Sequence, residues 1–225
     1  MYIYPYSQIR SSRKKNSRII EVQGIGKVEI MPDQALIRLG VITENENASV
    51  AQQENTERIN KVLSSLKMLG VKEEEIETYS YTVTPVYQYP TNGEKILTGY
   101  EVVNLVTVLT SKINEIGIII DTVIENGANR IESITYEAAN LQPPINESLR
   151  LASKQALEKA KVIAQSFKVN LIETPVKVVE VSRAPVPQIQ YTSFEEGMVK
   201  GLSTVVSPRK LEIISELQIS FTYQK

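Results

Sequence analysis

Apolar and polar residues alternate along two adjoining segments near the start of the chain. The first runs from residue 20 to residue 30 and the second from residue 35 to residue 41, with Pro32-Asp33 between them as a turn. A period of two is typical of strands, so the pattern predicts two strands joined as a hairpin. Gly24 and Gly26 leave one face of the first strand bare, which allows a helix or another backbone to approach closely.

Apolar residues at helical spacing mark three further segments. They cover about residues 48–69, where Gly70 supplies a stop, then about 113–124 and about 145–167. The last segment carries a small residue at every fourth position: Ala152, Ala156, Ala160 and Ala164. We therefore predict three amphipathic helices, of which the third packs closely on a sheet.

Five other runs are rich in Val, Ile, Thr and Tyr, which predicts strands. They cover about residues 76–89, 96–110, 130–138, 174–183 and 211–223. The segment 91–94 contains Asn-Gly and joins the first two as a hairpin, and the apolar character of both faces of 102–109 predicts a central strand. The element order ββαββ-αβαββ predicts an α+β fold, with antiparallel or mixed sheets packed against three helices.

Residues 19–225 are long enough for one domain, and a division into subdomains of about 19–110 and 111–225 stays open. Residues 1–18 are predicted to form a basic, disordered-like arm, because they contain no acidic residue and five basic ones: Arg10, Arg13, Lys14, Lys15 and Arg18. Residues 184–207 show no regular pattern and are predicted to be irregular.

The chain of 225 residues contains no histidine, no cysteine and no tryptophan. That composition excludes a thiolate nucleophile, a Ser–His relay and any His or Cys metal ligand. The acidic run of Glu73, Glu74, Glu75 and Glu77 lacks the ligand spacing of a calcium loop. A strand rather than a helix follows Gly24-x-Gly26, so a dinucleotide fingerprint is not indicated. We expect no metal, no cofactor and no assigned catalytic residue.

Net charge is −1, from 25 basic and 26 acidic residues, which gives no general reason to expect a nucleic-acid partner. The first residues contain no apolar run of the kind found in secretory signals, and no apolar run has the ~18 residues needed to span a membrane. On these grounds we expect a cytoplasmic protein without an integral membrane segment.

Tyrosines are the most suggestive candidates for a functional surface. Tyr79, Tyr81, Tyr87 and Tyr89 alternate along one predicted strand, with Tyr100 on the partner strand. Tyr191, Phe194 and Met198 fall in the irregular segment. These side chains fit three roles, namely packing within the sheet, an interface between subunits or a face that binds a ligand. Exposed apolar groups often mark association sites, which predicts a homo-oligomer.

Several short motifs follow one another in a characteristic order. They are Val22-x-Gly24-x-Gly26-x-Val28, Pro32-Asp33-x-Ala35, Gly40-Val41, Gly99-Tyr100, Gly127-Ala128-Asn129 and Lys159-Ala160. From about Ile19 to the end, this series resembles the SIMPL-domain family, a mainly bacterial family that includes periplasmic immunogenic proteins and proteins linked to oxidative-stress defence. The resemblance implies an α+β fold and, from at least one ring-like relative, assembly; it implies no catalytic residues. Two features depart from the family, the missing export signal and Pro208-Arg209 where relatives tend to have Pro-Gly.

Three hypotheses about function follow from these observations. The first is a non-enzymatic, self-associating protein of the SIMPL type with a stress-related role, in which the role rests on the resemblance alone. The second is a module that binds a small molecule, of unknown identity, through its tyrosine-rich face. The third is a hydrolase or lyase that works through carboxylates, which a concave apolar pocket with convergent carboxylates would favour.

Overall fold

The computed structural model describes residues 18–90, 93–183, 189–192 and 208–225. Within that part of the chain, the α-helices are α1 (Ala48–Met68), α2 (Ile116–Glu125) and α3 (Gln142–Ser166). The strands are β1 (Ile19–Ile30), β2 (Gln34–Asn45), β3 (Ile76–Gln88), β4 (Ile96–Thr110), β5 (Arg130–Glu137), β6 (Asn170–Arg183), β7 (Ile189–Thr192) and β8 (Leu211–Gln224). The predicted basic arm, apart from Arg18, and most of the predicted irregular segment lie outside the described residues.

The strands form two antiparallel sheets, one in the order β1-β8-β6 and one in the order β3-β4-β2-β5-β7. The predicted α+β class and the predicted order of elements are confirmed. The structure adds β7, which lies within the segment that we predicted to be irregular and pairs with β5. A strand of four residues is too short to show a period of two in the sequence, so β7 is recognised only by its pairing with β5.

The chain forms two compact units that interleave along the sequence. Of the described residues, the α1 unit comprises 29–90, 93–141, 189–192 and 208–212, and the α3 unit comprises 18–28, 142–183 and 213–225. These boundaries differ from the sequential division near residue 110 that the sequence left open. A strand-forming segment at each end of the chain belongs to the α3 unit, and local patterns cannot show such a return.

In the α1 unit, one face of the five-stranded sheet packs against α1 and α2. The core residues Ile37 and Leu39 of β2 are fully buried with Val62 and Leu66 of α1. Burial of each such side chain stabilises the fold by about 1.5–3 kcal/mol. The prediction that β4 is central is confirmed, since β4 lies between β3 and β2.

Two polar side chains fix α1 to this sheet. Asn55 is fully buried, and its Nδ2 donates to the carbonyl oxygens of Val41 at 3.0 Å and Val102 at 3.1 Å. The Thr43 hydroxyl of β2 donates to the carbonyl of Ala51 at 2.8 Å. These bonds hold the helix over β2 and β4 where apolar packing alone would permit sliding.

In the α3 unit, the alanine stripe packs against β1 as predicted. The four alanines are at most 2% exposed, and they cluster with Val22, Leu217 and Phe221. A Cβ atom added to Gly24 would lie 2.0 Å from the Ala152 carbonyl oxygen, and one added to Gly26 would lie 1.8 Å from that of Ser148. The prediction that the bare glycine face admits a helix is therefore confirmed.

The predicted hairpin between the first two strands is wrong. β1 pairs with β8, whereas β2 pairs with β4 and β5. At the intervening turn, Asp33 N–H donates to the carbonyl of Glu137 at 3.1 Å, and Asp33 Oδ1 accepts from Ala139 N–H at 2.7 Å. The turn is therefore bonded to the end of β5, and alternation on either side of a turn does not determine which strands pair.

Candidate functional site

The strand β3 forms one edge of the five-stranded sheet. It pairs with β4 from Ile76 opposite Val108 to Gln88 opposite Ile96, and within the described part of the chain it has no second neighbour. The predicted hairpin between these strands is thus confirmed. Tyr79, Tyr81 and Tyr89 are 50%, 48% and 70% exposed, so the tyrosines do not contribute to a closed core.

Two irregularities interrupt β3, one between Thr78 and Ser80 and one between Val86 and Tyr87. Tyr79 is the extra residue of the first, and the Arg38 guanidinium carbon lies 4.4 Å from its ring centroid. Because Ile37 and Leu39 face the helices, Arg38 and Tyr79 lie on the opposite face.

Tyr81 points towards the helices, since its hydroxyl accepts a hydrogen bond of 3.3 Å from Gln52 Nε2 of α1. Tyr79 and Tyr81 therefore lie on opposite faces of the sheet, which differs from the single tyrosine face expected from alternation. The bulge explains the difference, because one extra residue shifts the period of two for the rest of the strand.

The remaining tyrosines are spread along the hairpin and across the sheet. Lys95 Nζ lies 3.7 Å from the ring centroid of Tyr87, and half-buried Tyr100 of β4 lies opposite Asn45 and Pro85. Tyr191 is in β7 at the other edge, about 19 Å from β3 at the usual spacing of strands. Phe194 and Met198 lie outside the described residues.

A cleft with a volume of about 220 Å³ lies beside the second irregularity. It is lined by Glu44, Asn45, Glu46, Val86, Thr98, Gly99 and Tyr100. A Cβ atom at Gly99 would lie 2.8 Å from the Asn45 carbonyl oxygen, so glycine is required for this approach of backbones. Glu44 is directly opposite Glu101 across the strands, which makes this end of the sheet acidic.

Several motif residues that carry the family resemblance have structural roles. The Asn129 side chain pairs with both backbone groups of Ile42, accepting from its N–H at 2.7 Å and donating to its carbonyl at 2.8 Å. Gly127 precedes it with a φ of +109°, and a Cβ atom at Gly40 would lie 2.0 Å from the Asn104 carbonyl oxygen. In the α3 unit, Lys159 Nζ donates to the Gln23 carbonyl at 2.8 Å. These motif residues thus stabilise the fold, and their contacts do not identify a catalytic or binding role.

An ion pair on the surface of α3 shifts the pKa of both of its members. Arg150 donates to the Glu147 carboxylate at 2.8 and 2.6 Å, and this hydrogen bonding lowers the pKa of Glu147 and raises that of Arg150. Among the described residues, no group of three or more acidic side chains is arranged to hold a metal ion.

Sequence reasoning missed Arg38 and Glu132. Arg38 Nε and Glu132 Oε2 are buried and have no hydrogen-bond partner among the described residues. Arg38 is the charged residue of an otherwise apolar stretch of β2, from Leu36 to Ile42, and that contrast was the available signal. Nothing local distinguishes Glu132, because its position beside Arg38 depends on the register between β2 and β5.

Comparison with known proteins gives a consistent result. Residues 20–221 match the family described as SIMPL, protein of unknown function (DUF541). The chain is 31% identical over 172 residues to the 26 kDa periplasmic immunogenic protein of Brucella melitensis, which covers 75% of this chain and 68% of that protein. It is 24% identical over 148 residues to the uncharacterized protein YggE of Escherichia coli K12, which covers 66% of this chain and 60% of that protein.

These relatives correct one expectation. The cytoplasmic location expected from the first residues is wrong, because Brucella relatives at 31% identity are named as periplasmic proteins. That expectation relied on the composition of the first residues, which is weaker evidence than a similarity that extends over most of the chain. No helix in the described part of the chain is both long and apolar enough to cross a membrane.

Proposed function

The chain belongs to the SIMPL family, whose function is unknown, and we propose that it is a non-enzymatic protein that associates with copies of itself through β3. The observation that carries this proposal is a long edge strand with exposed aromatic side chains. Tyr is favoured at protein interfaces, because it contributes a large contact area and keeps a polar tip.

The edge of β3 is long and carries no basic side chain that would oppose pairing. Natural edge strands are commonly kept short or carry lysines, whereas β3 has 13 residues and contains no lysine or arginine. Between the two irregularities, Ser80 to Val86 pair with β4 in unbroken register, so this stretch is straight enough to accept another strand. Pro85 lacks an N–H, which limits such pairing mainly to residues 80–84.

Exposed apolar side chains near the hairpin end extend the same surface. Ile96 and Leu97 of β4 are 49% and 46% exposed, and they lie opposite Gln88 and Tyr87. Burying part of this area between subunits would add a hydrophobic contribution to the free energy of association, which backbone hydrogen bonding alone does not provide. The proposed contact therefore combines strand pairing with an aromatic and aliphatic patch.

We further propose that the protein works in the periplasm, by similarity to its Brucella relatives. A stress-related role is an expectation from the family resemblance alone, and none of the residues described above carries it. A strain that lacks the protein should then lose peroxide tolerance. If the wild type restores this tolerance and an association-deficient variant does not, the stress-related role depends on self-association.

The experiment is a measurement of solution mass by light scattering over a wide range of protein concentration. The wild type should be oligomeric, and Thr82→Lys with Thr84→Lys should shift it towards monomer, because two charges on the exposed edge disfavour pairing. Val176→Lys with Val178→Lys on exposed β6 is the matched control and should keep the assembly. A constant monomer mass for the wild type would refute the proposal, and loss of assembly only in the β6 variant would place the interface there.

A second candidate function is the binding of a small molecule in the Tyr100 cleft. The observation in its favour is the cleft itself, which places an aromatic ring beside the carboxylates of Glu44 and Glu46. A cationic ligand should perturb the Tyr100 resonances in an NMR titration, and Glu46→Gln should weaken that response. No observation on the described residues favours the carboxylate-based hydrolase or lyase. The carboxylates of Glu44 and Glu46 are exposed, and the lining of the cleft is mainly polar, whereas such an enzyme would need convergent carboxylates in an apolar pocket.

A further inference from the structure

A row of polar residues crosses the face of the five-stranded sheet that points away from α1. The register places Arg38 of β2 between Ser133 of β5 and Thr107 of β4, and Glu77 of β3 lies beyond Thr107. Exposure rises along this row, since Ser133 is buried, Arg38 and Thr107 are half-buried and Glu77 is exposed. The row therefore opens towards β3.

Arg38 occupies the middle of this row, and no charged residue in the described part of the chain pairs with it. Its guanidinium stacks on the Tyr79 ring at 4.4 Å, and its side chain forms no ion pair or hydrogen bond with the described residues. The Nε atom is also shielded from solvent. Leaving a buried donor unsatisfied costs about 1–3 kcal/mol, and more for a charged group, so this arrangement calls for an explanation.

Glu132 carries the opposite charge on the neighbouring strand β5. The pairing of β2 with β5 shifts here, because Arg38 lies opposite Ser133 while Leu39 lies opposite Ile131, and Glu132 is the extra residue. Its Oε2 atom is buried and accepts no hydrogen bond from the described residues. Two opposite charges thus lie on neighbouring strands, and each keeps an unsatisfied buried atom instead of pairing with the other.

We propose that Arg38 and Glu132 together bind a small zwitterion of the amino-acid class, which reaches them from the β3 side past Tyr79. The planar fork of Arg38 matches a carboxylate, and the free oxygen of Glu132 accepts from an ammonium group. A simple anion would satisfy Arg38 only and would be repelled by Glu132, whereas a simple cation would leave Arg38 unsatisfied. This inference does not depend on self-association.

The test is isothermal titration calorimetry on the full chain at constant ionic strength, with glycine, L-alanine, sodium acetate and methylammonium chloride as probes. The two zwitterions should bind at least about tenfold more tightly than acetate or methylammonium, because only they form both charge-assisted contacts. Arg38→Met should abolish zwitterion binding and Glu132→Gln should weaken it by about tenfold. Arg130→Met, which removes an exposed cation at the start of β5, should leave binding unchanged.

Three results would overturn the proposal. Acetate binding as tightly as glycine would show a simple anion site, and equal responses in the Arg130→Met and Arg38→Met variants would show a general salt effect. Absence of binding by every probe, together with strong coupling of Arg38 and Glu132 in a double-mutant cycle of stability, would show a structural ion pair. If Arg38→Met does not fold, Arg38→Lys keeps the charge but loses the fork, and it should weaken binding of both zwitterions.

Discussion

The two units pack a helix onto a sheet in opposite ways. In the α1 unit, large side chains meet across the interface, with Val62 and Leu66 of the helix against Ile37 and Leu39 of the sheet. In the α3 unit, the helix contributes alanines and β1 contributes Gly24 and Gly26, so backbone approaches backbone. The difference teaches that a helix can be held on a sheet by filling the space between them or by removing it.

Each solution fails in its own way. A large-residue interface loses stability when atoms are removed, because a cavity remains. A small-residue interface loses stability when atoms are added, because the neighbouring atoms are backbone and cannot rotate away. The variants below use this contrast, and chemical denaturation is the common measurement.

The largest effect is expected from adding one carbon to the α3 unit. Gly26→Ala would place a Cβ atom 1.8 Å from the Ser148 carbonyl oxygen, so the helix must move away from the sheet. The free energy of unfolding should fall by about 4 kcal/mol or more, in the range reserved for severe core defects. Gly93→Ala is the control, since that site has open space and a φ of +80°, and it should cost only about 1–2 kcal/mol. Equal losses would refute the close approach.

The complementary change removes atoms from the α1 unit. Leu66→Ala empties a fully buried position and should lower the free energy of unfolding by about 2–5 kcal/mol. Met68→Ala on the same helix is the control, because Met68 is 78% exposed, and its effect should stay within about 0.5 kcal/mol. A Leu66→Ala loss no larger than that of the control would show that α1 does not rest on a filled core.

A larger side chain in the alanine stripe should have a smaller effect than a Cβ atom on the strand, because the new side chain has rotamers to choose from. Ala156→Leu should cost about 1–3 kcal/mol, since its new atoms would extend towards Gly24. Glu158→Leu on the exposed side of α3 serves as the matched variant and should be close to neutral. Unchanged stability of Ala156→Leu would mean that the stripe is loosely packed.

The ends of α1 and α3 allow the finest comparison. Both helices close with the same pair of bonds, from Gly70 and Val71 in α1 and from Lys168 and Val169 in α3. The left-handed position holds glycine in α1 but lysine in α3, where φ is +52°. Lys168→Gly should therefore stabilise the protein by up to about 1 kcal/mol, by removing the steric cost of a Cβ atom there. Lys154→Gly, in the interior of α3, should instead be destabilising, and a loss of stability on Lys168→Gly would contradict the expectation.

The contrast between the units was visible in the sequence, whereas the candidate site was not. The alanine stripe and the bare glycine face were apparent because helical and strand periods report which residues are buried. The partners of β1, the strand β7 and the bulge at Tyr79 depend on which strands pair and in what register. A period of two predicts the face that a residue occupies, but it does not identify the partner strand or separate registers that differ by two residues. For the same reason, the sequence identified the tyrosines as candidates but did not separate Tyr79 from Tyr81, and it did not bring Arg38 next to Glu132.

The contact made by the Asn129 side chain would be sensitive to deamidation. Its amide imitates a peptide group so closely that it completes the bonding of Ile42, donating at one end and accepting at the other. Slow hydrolysis of that amide, which consumes one water and releases ammonia, would produce an aspartate, which has no donor when ionised and would set a negative charge against the Ile42 carbonyl oxygen. Ageing of the protein would then release β2 from this contact without any change in the encoded sequence.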